Sequence, residues 1–197
     1  MRENTFINRS FAEKNVVVNS SSFKALCETI PVLIDKHLGS FCQGFYIYGS
    51  IFSETFVKES SDIDFSVFLN TELDEDIYNR IQCFHKELNF KAELAQLLEG
   101  EYYYLDPNDI WSERKTVLVE HNKLPTYDVG TIDPDRVELI RDKGMVVYGN
   151  KAHKVLPYVN CEMICRYFTR YIKEFLEELQ KGLIYDGISI ADLKLCK

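Results

Sequence analysis

The sequence predicts an α/β fold with a mixed β-sheet, followed by a short C-terminal helical segment. Residues 62–69 place an apolar side chain at every second position with the period of a strand: Ile63, Phe65, Val67 and Leu69. Residues 23–37 and 72–90 instead repeat apolar side chains at helical spacing. One long amphipathic pattern near the end predicts a final helix. We therefore divide the chain into a domain over 1–150 and a helical segment over 151–197.

Helix-capping serines and chain-breaking glycines mark the first predicted elements of the domain over 1–150. The first twenty residues are polar and irregular. The serines at 20–22 offer N-caps for the helix over 23–37, and Gly39 is its predicted stop. A short β-prone run over 45–48 then ends at Gly49.

The later elements rest on the same signals. Asp133 is the predicted cap of a helix in which Pro134 takes the first position, where a proline costs no hydrogen bond. The predicted elements after the strand over 62–69 are a helix over 72–90, strands over 101–105 and 115–120, a helix from Pro134 to Gly144, a strand over 145–149 and a helix over 157–180.

Composition limits the classes of partner. Hydrophobic residues make up 46% of the 197 residues, enough for a full core. The formal net charge of −8 is unfavourable for gripping a nucleic-acid backbone and suits a small cationic substrate better. No run approaches the roughly 18 apolar residues of a membrane span, and Arg2, Glu3 and Asn4 interrupt any apolar leader. We expect a cytoplasmic protein that binds neither membrane nor nucleic acid.

The chemistry-bearing segment begins where the first strand ends. Gly49 permits a close backbone approach, and Ser50 adds a hydroxyl beside the backbone N–H groups of a turn, an arrangement that suits a phosphate. Asp62 and Asp64 follow on the next strand. Strand geometry puts their Cβ atoms on one face, roughly 6–7 Å apart. Such a pair suits Mg²⁺, which takes oxygen ligands and shares them with substrate phosphates.

Neither half of this pattern is specific alone, because an Asp-x-Asp at a strand start and a Gly-Ser turn are both common. Their combination, separated by the eleven residues 51–61, is more informative. Two acids on one side of a strand otherwise fit for burial are also costly unless they are paired or bind a metal.

This pattern resembles the nucleotidyltransferase superfamily that includes DNA polymerase beta, whose signature is hydrophobic-Gly-[Gly/Ser], a spacer, then Asp-x-Asp. The segments 97–111 and 143–150 resemble the streptomycin/spectinomycin-type aminoglycoside adenylyltransferases. The resemblance implies a polymerase-beta-like core that moves AMP from ATP onto an acceptor hydroxyl with Mg²⁺. It implies metal ligands at Asp62 and Asp64 and a phosphate site at Gly49 and Ser50. It also makes an antibiotic a candidate acceptor.

The resemblance further implies a third carboxylate, the catalytic base, at the strand after the intervening helix. It favours Glu99. The residues themselves leave Glu101 as a competitor, since two residues on a strand that are two apart share a face. Asp106 is a more remote third candidate.

Two departures from the family keep other functions open. Residues 51–54 contain no glycine, and the chain after residue 150 is shorter than the family's helical C-terminal domain. A protein acceptor, as in toxin–antitoxin pairs, is therefore one alternative. A non-catalytic binding module with a decayed site is another. The sequence does not predict the oligomeric state or the preferred base.

The histidines lack the spacing of metal ligands, so we interpret each as a surface or core residue. They are His37, His85, His121 and His153. Trp111 and the tyrosines at 102–104 are likewise interpreted as packing residues.

Overall fold

A computed structural model describes residues 17–54, 56–58, 60–106, 109–121 and 123–180. The predicted irregular N-terminal stretch lies outside these ranges over residues 1–16, as does the end of the helical segment after residue 180. The chain divides into two compact units, the first ending at Tyr158 and the second beginning at Val159.

Six strands of the described residues form one sheet in the first unit. They are β1 Cys42–Tyr48, β2 Ile63–Leu69, β3 Leu98–Tyr104, β4 Arg114–Val119, β5 Thr126–Gly130 and β6 Met145–Gly149. Their order across the sheet is β5-β4-β3-β2-β1-β6. The pair β2–β3 is parallel and the other pairs are antiparallel, so the predicted α/β fold with a mixed sheet is confirmed.

Three strands differ from the sequence prediction by more than one residue. β1 begins at Cys42, not at residue 45. β3 begins at Leu98, not at residue 101, because Leu98 is buried and pairs with Ile63 of β2. β5 was not predicted at all. It is a strand of only five residues at the edge of the sheet, and its residues 126–129 are all exposed, so no buried apolar run marks it in the sequence.

The described helices are α1 Ser21–His37, α2 Glu75–Lys91, α3 Pro134–Lys143, the short α4 Ala152–Val155 and, in the second unit, α5 Cys161–Gln180. Short 3₁₀ turns cover Gly39–Phe41, Gly49–Phe52 and Glu93–Leu97. None of the helices within the described ranges combines the length and the apolar character needed to cross a membrane.

Caps explain where the helices begin. The Ser20 side chain accepts a hydrogen bond from the N–H of Phe23 at 3.2 Å, which confirms the predicted serine cap of α1. Pro134 takes the first position of α3 as predicted, but the Asp133 side chain makes no capping bond and instead pairs with Arg136 at 3.5 Å. α5 begins later than predicted, because the Asn160 side chain accepts from the N–H of Met163.

The hydrophobic core lies on the face of the sheet that α1 and α2 cover. One row of side chains crosses four strands there, and each is fully buried: Phe45, Val67, Tyr102 and Val117. Burying such side chains contributes about 1.5–3 kcal/mol each relative to leaving them exposed. The core thus fixes the register of β1, β2, β3 and β4, and with it the polar residues on the opposite face.

Candidate functional site

The turn after β1 depends on a glycine. Gly49 has a φ of +81°, a conformation that side-chain-bearing residues rarely adopt. A Cβ built there would lie 1.9 Å from Oδ2 of Asp64. The turn is closed by hydrogen bonds from the N–H and the hydroxyl of Ser53 to the carbonyl of Ser50, each at 2.8 Å. Gly49 therefore lets the turn lie directly against the Asp64 carboxylate.

The strand register brings the predicted acidic residues together. Asp64 pairs with Tyr48 of β1 on one side and with Glu99 of β3 on the other. Directly paired residues point to the same face, so Asp64 and Glu99 are neighbours on the face opposite the α1–α2 core. Asp62 lies one residue before β2, two positions from Asp64. The Gly49 turn thus meets both aspartates and Glu99 where β1 ends and where β2 and β3 begin.

A histidine that the sequence interpretation set aside joins this cluster. His121 Nε2 lies 2.7 Å from Oδ1 of Asp62, and His121 Nδ1 lies 3.1 Å from Oε2 of Glu99. The three side chains offer ligand atoms that all lie within 4.8 Å of one another. All three are partly exposed, at 36–42% of the side chain, so the cluster is open to solvent. His121 is thus a partly exposed residue, as interpreted, but it contacts Asp62 and Glu99, which its spacing in the sequence did not indicate.

The carboxylates at this end of the strands repel one another. Burial raises the pKa of Asp64, and the negative charge of Asp62 raises it further, although a backbone N–H of Ser50 donates to the carboxylate and opposes the shift. Burial also raises the pKa of Glu99, again with a contribution from Asp62. Carboxylates with pKa values raised in this way, close together at the sheet surface, mark a candidate functional site.

Glu101 shares the face but not the environment of Glu99. It pairs with Ser66 of β2, one step further from the turn, and its Oε1 accepts from the Arg136 guanidinium of α3 at 3.2 Å. Arg136 also donates to the hydroxyl of Tyr103. The Glu101 carboxylate is therefore held by a neighbouring cation, whereas Glu99 faces the aspartates and His121.

Asp106 lies beyond the other end of β3, about 23 Å from Glu99 by strand rise. Its carboxylate forms an ion pair with Arg114 at 3.4 Å. This remote candidate for the base is not brought to the site. Of the tyrosines at 102–104, Tyr102 and Tyr103 are buried, consistent with packing, and Tyr102 bonds His85 at 2.9 Å.

Comparisons with known proteins support the fold. No protein-family model matches the sequence, and no curated protein matches it. Among solved structures, the chain is similar to the spectinomycin adenyltransferase AAD(9) from Enterococcus faecialis, solved with ATP and spectinomycin. The TM-score is 0.51 at 17% identity, over 80% of this chain and 68% of that one. The chain therefore has a nucleotidyltransferase-like fold, consistent with the sequence resemblance.

Proposed function

We propose that the chain is a Mg²⁺-dependent nucleotidyltransferase that moves AMP from ATP onto a hydroxyl of an acceptor. One observation supports this proposal above all: the Gly49 turn meets Asp62, Asp64 and Glu99 where β1 ends and where β2 and β3 begin. A glycine turn packed against a carboxylate pair can bring a polyphosphate and its cation to the same point.

The donor atoms at the site fit a divalent cation. Asp62 and Asp64 supply carboxylate oxygens, the ligands that Mg²⁺ prefers in proteins. Burial and then the negative charge of Asp62 raise the pKa of Asp64, and a cation beside the two carboxylates would relieve their repulsion. The bound cation would supply charge stabilisation to the transferring phosphate. Ser50 and the backbone of Gly49 are proposed to hold the phosphates.

The proposed reaction forms one bond to the α-phosphorus of ATP and breaks another. The acceptor hydroxyl oxygen forms a bond to the α-phosphorus of ATP while its proton passes to a carboxylate. The bond from the α-phosphorus to the oxygen that bridges to the β-phosphate breaks, and pyrophosphate leaves. The raised pKa of Glu99 and its position beside Asp64 favour it as the base. The ion pair with Arg136 makes Glu101 the weaker candidate.

The acceptor that we propose is a small hydroxyl-bearing molecule, with cationic aminoglycoside antibiotics as the first class to test. The solved neighbour was determined with ATP and spectinomycin. The net charge of −8 also suits a cationic acceptor better than an anionic one. A protein acceptor is the alternative, and it uses the same site and chemistry.

The proposal is tested by nucleotide-dependent stabilisation and by transfer of label. A site that binds cation and triphosphate together should raise the unfolding temperature with MgATP and hardly with ATP or Mg²⁺ alone. The chain is then incubated with ATP labelled at the α-phosphate and a panel of aminoglycosides, with a cell lysate as the source of protein acceptors. Label on one acceptor identifies its class.

The control variant is Asp62→Asn, which removes one ligand charge and keeps the side-chain volume. It should abolish both the MgATP shift and the transfer while the apo protein unfolds at nearly the same temperature. A decayed binding module would show the shift without transfer to any acceptor. Absence of both in the wild-type chain would rule the proposal out.

A further inference from the structure

The histidine in the cluster points to a cation site of mixed nitrogen and oxygen character. We propose that His121 is a metal ligand and that Asp62, Glu99 and His121 together bind a divalent transition cation of the Mn²⁺ class more tightly than Mg²⁺. The inference rests on the proposed function, because it concerns the ligands of a cation at that same site.

The geometry of the three side chains supports shared ligation. His121 presents one ring nitrogen to Asp62 at 2.7 Å and the other to Glu99 at 3.1 Å. The imidazole therefore lies between the two carboxylates, and a cation bound here would replace one of these two contacts, with all three ligand atoms within 4.8 Å of one another. The set is also partly exposed, which leaves an entry path for the ion and room for water or phosphate ligands.

Three different elements bring these residues together. Asp62 precedes β2, Glu99 belongs to β3 and His121 follows β4 by two residues. The pairing of Gly100 with Val119 aligns the end of β4 with the start of β3, so His121 is held beside Glu99 by the sheet. A site assembled on paired strands is well positioned before any ligand arrives.

Ligand chemistry decides the class of cation. Oxygen donors alone suit Mg²⁺, whereas an imidazole nitrogen favours first-row transition metals. Replacing one oxygen or water ligand by an imidazole therefore raises affinity most for the later first-row cations, less for Mn²⁺ and least for Mg²⁺. His121 is thus a specificity-determining residue for the cation. A carboxylate has two oxygens, so Glu99 can face the cation with one and receive a proton with the other.

The test uses the full chain without nucleotide and Mn²⁺ as the probe. Pulsed electron paramagnetic resonance of bound Mn²⁺ detects the ¹⁴N nucleus of a coordinated imidazole. We expect ¹⁴N modulation in the wild-type protein and its loss in His121→Gln. His153→Gln is the matched control, since His153 is an exposed histidine outside the cluster. The His121→Gln substitution should weaken Mn²⁺ binding by about 10–100-fold and Mg²⁺ binding much less.

Wild-type protein saturated with Mn²⁺ but without ¹⁴N modulation would overturn the inference, whatever the variant does. Modulation that persists in a folded His121→Gln would overturn the assignment to His121. If that variant does not fold, Asp62→Asn replaces it, and retention of tight Mn²⁺ binding there would be equally contradictory. AMP transfer is measured separately with MgATP. Transfer without ¹⁴N modulation refutes this inference and keeps the proposed function, and ¹⁴N modulation without transfer refutes only the proposed function.

Discussion

Gly49 is the position at which the turn and the acidic cluster can be perturbed together. Gly49→Ala introduces a Cβ that would lie 1.9 Å from Oδ2 of Asp64, where ordinary contact begins at 3.4 Å. Either the carboxylate or the turn must move by about 1.5 Å, a displacement of the size at which misplaced catalytic groups lose about 10²-fold in rate. The alanine must also adopt a φ of +81°.

The chain contains a matched control for the backbone part of this penalty. Gly39 also has a positive φ, +53°, but a Cβ there meets no atom within 4 Å. Gly39→Ala should therefore cost only the left-handed strain, about 1–2 kcal/mol in the free energy of unfolding. Gly49→Ala should cost that strain and, in addition, about 1–3 kcal/mol for the steric conflict.

Urea denaturation measures both free energies, and label transfer from ATP measures the rates. We expect Gly39→Ala to keep wild-type transfer and Gly49→Ala to lose about 10²-fold. Equal losses of stability in the two variants, with transfer retained by Gly49→Ala, would refute the close packing of the turn against Asp64.

Three further predictions follow from the same structure. Asp64→Asn should abolish transfer with little loss of stability, since it deletes a proposed metal ligand and relieves repulsion. Glu99→Gln should lower the transfer rate by about 10²–10⁴-fold, whereas MgATP binding in calorimetry should weaken far less because Asp62 and Asp64 remain; Glu101→Gln should lower the rate less. Burial lowers the pKa of His85 to about 3, so from about pH 6.5 down to 3 the unfolded chain takes up a proton that the folded chain does not. Stability should therefore fall by about 1.4 kcal/mol per pH unit over that window, and His85→Gln should flatten the fall while His153→Gln does not.

A specific experimental result would contradict each of these three predictions. An Asp64→Asn protein with more than about a tenth of wild-type turnover at saturating Mg²⁺ would remove Asp64 from the metal ligands. If Glu101→Gln loses transfer activity and Glu99→Gln keeps it, Glu101 and not Glu99 is the base. An acid profile of unfolding that is the same in wild type and His85→Gln would show that His85 does not carry the pH dependence.

Local signals in the sequence predicted the elements that build the centre of the fold. The alternation over 62–69 predicted β2, because every second side chain of that strand enters the core. The serine before α1 and the proline of α3 marked helix starts through their own backbone chemistry. The closeness of Asp62 to Asp64 on one face of the strand followed from strand geometry alone.

The remaining features depend on pairing between distant segments, which no local pattern contains. His121 reaches Glu99 only because β4 pairs antiparallel with β3 in one particular register. A histidine two residues after the apolar run of β4 was the local signal for it. The residues alone did not distinguish Glu99 from Glu101, and only the family resemblance favoured Glu99. Their different environments depend on Arg136 of α3, 35 positions after Glu101.

The position of the label within ATP distinguishes nucleotidyl transfer from phosphoryl transfer. Parallel reactions with the acceptor use ATP labelled at the α-phosphate or at the γ-phosphate. Nucleotidyl transfer predicts α-label on the acceptor, γ-label only in released pyrophosphate, and neither product from the Asp62→Asn variant. Recovery of γ-label on the acceptor, or unchanged α-label transfer by Asp62→Asn, would contradict the account.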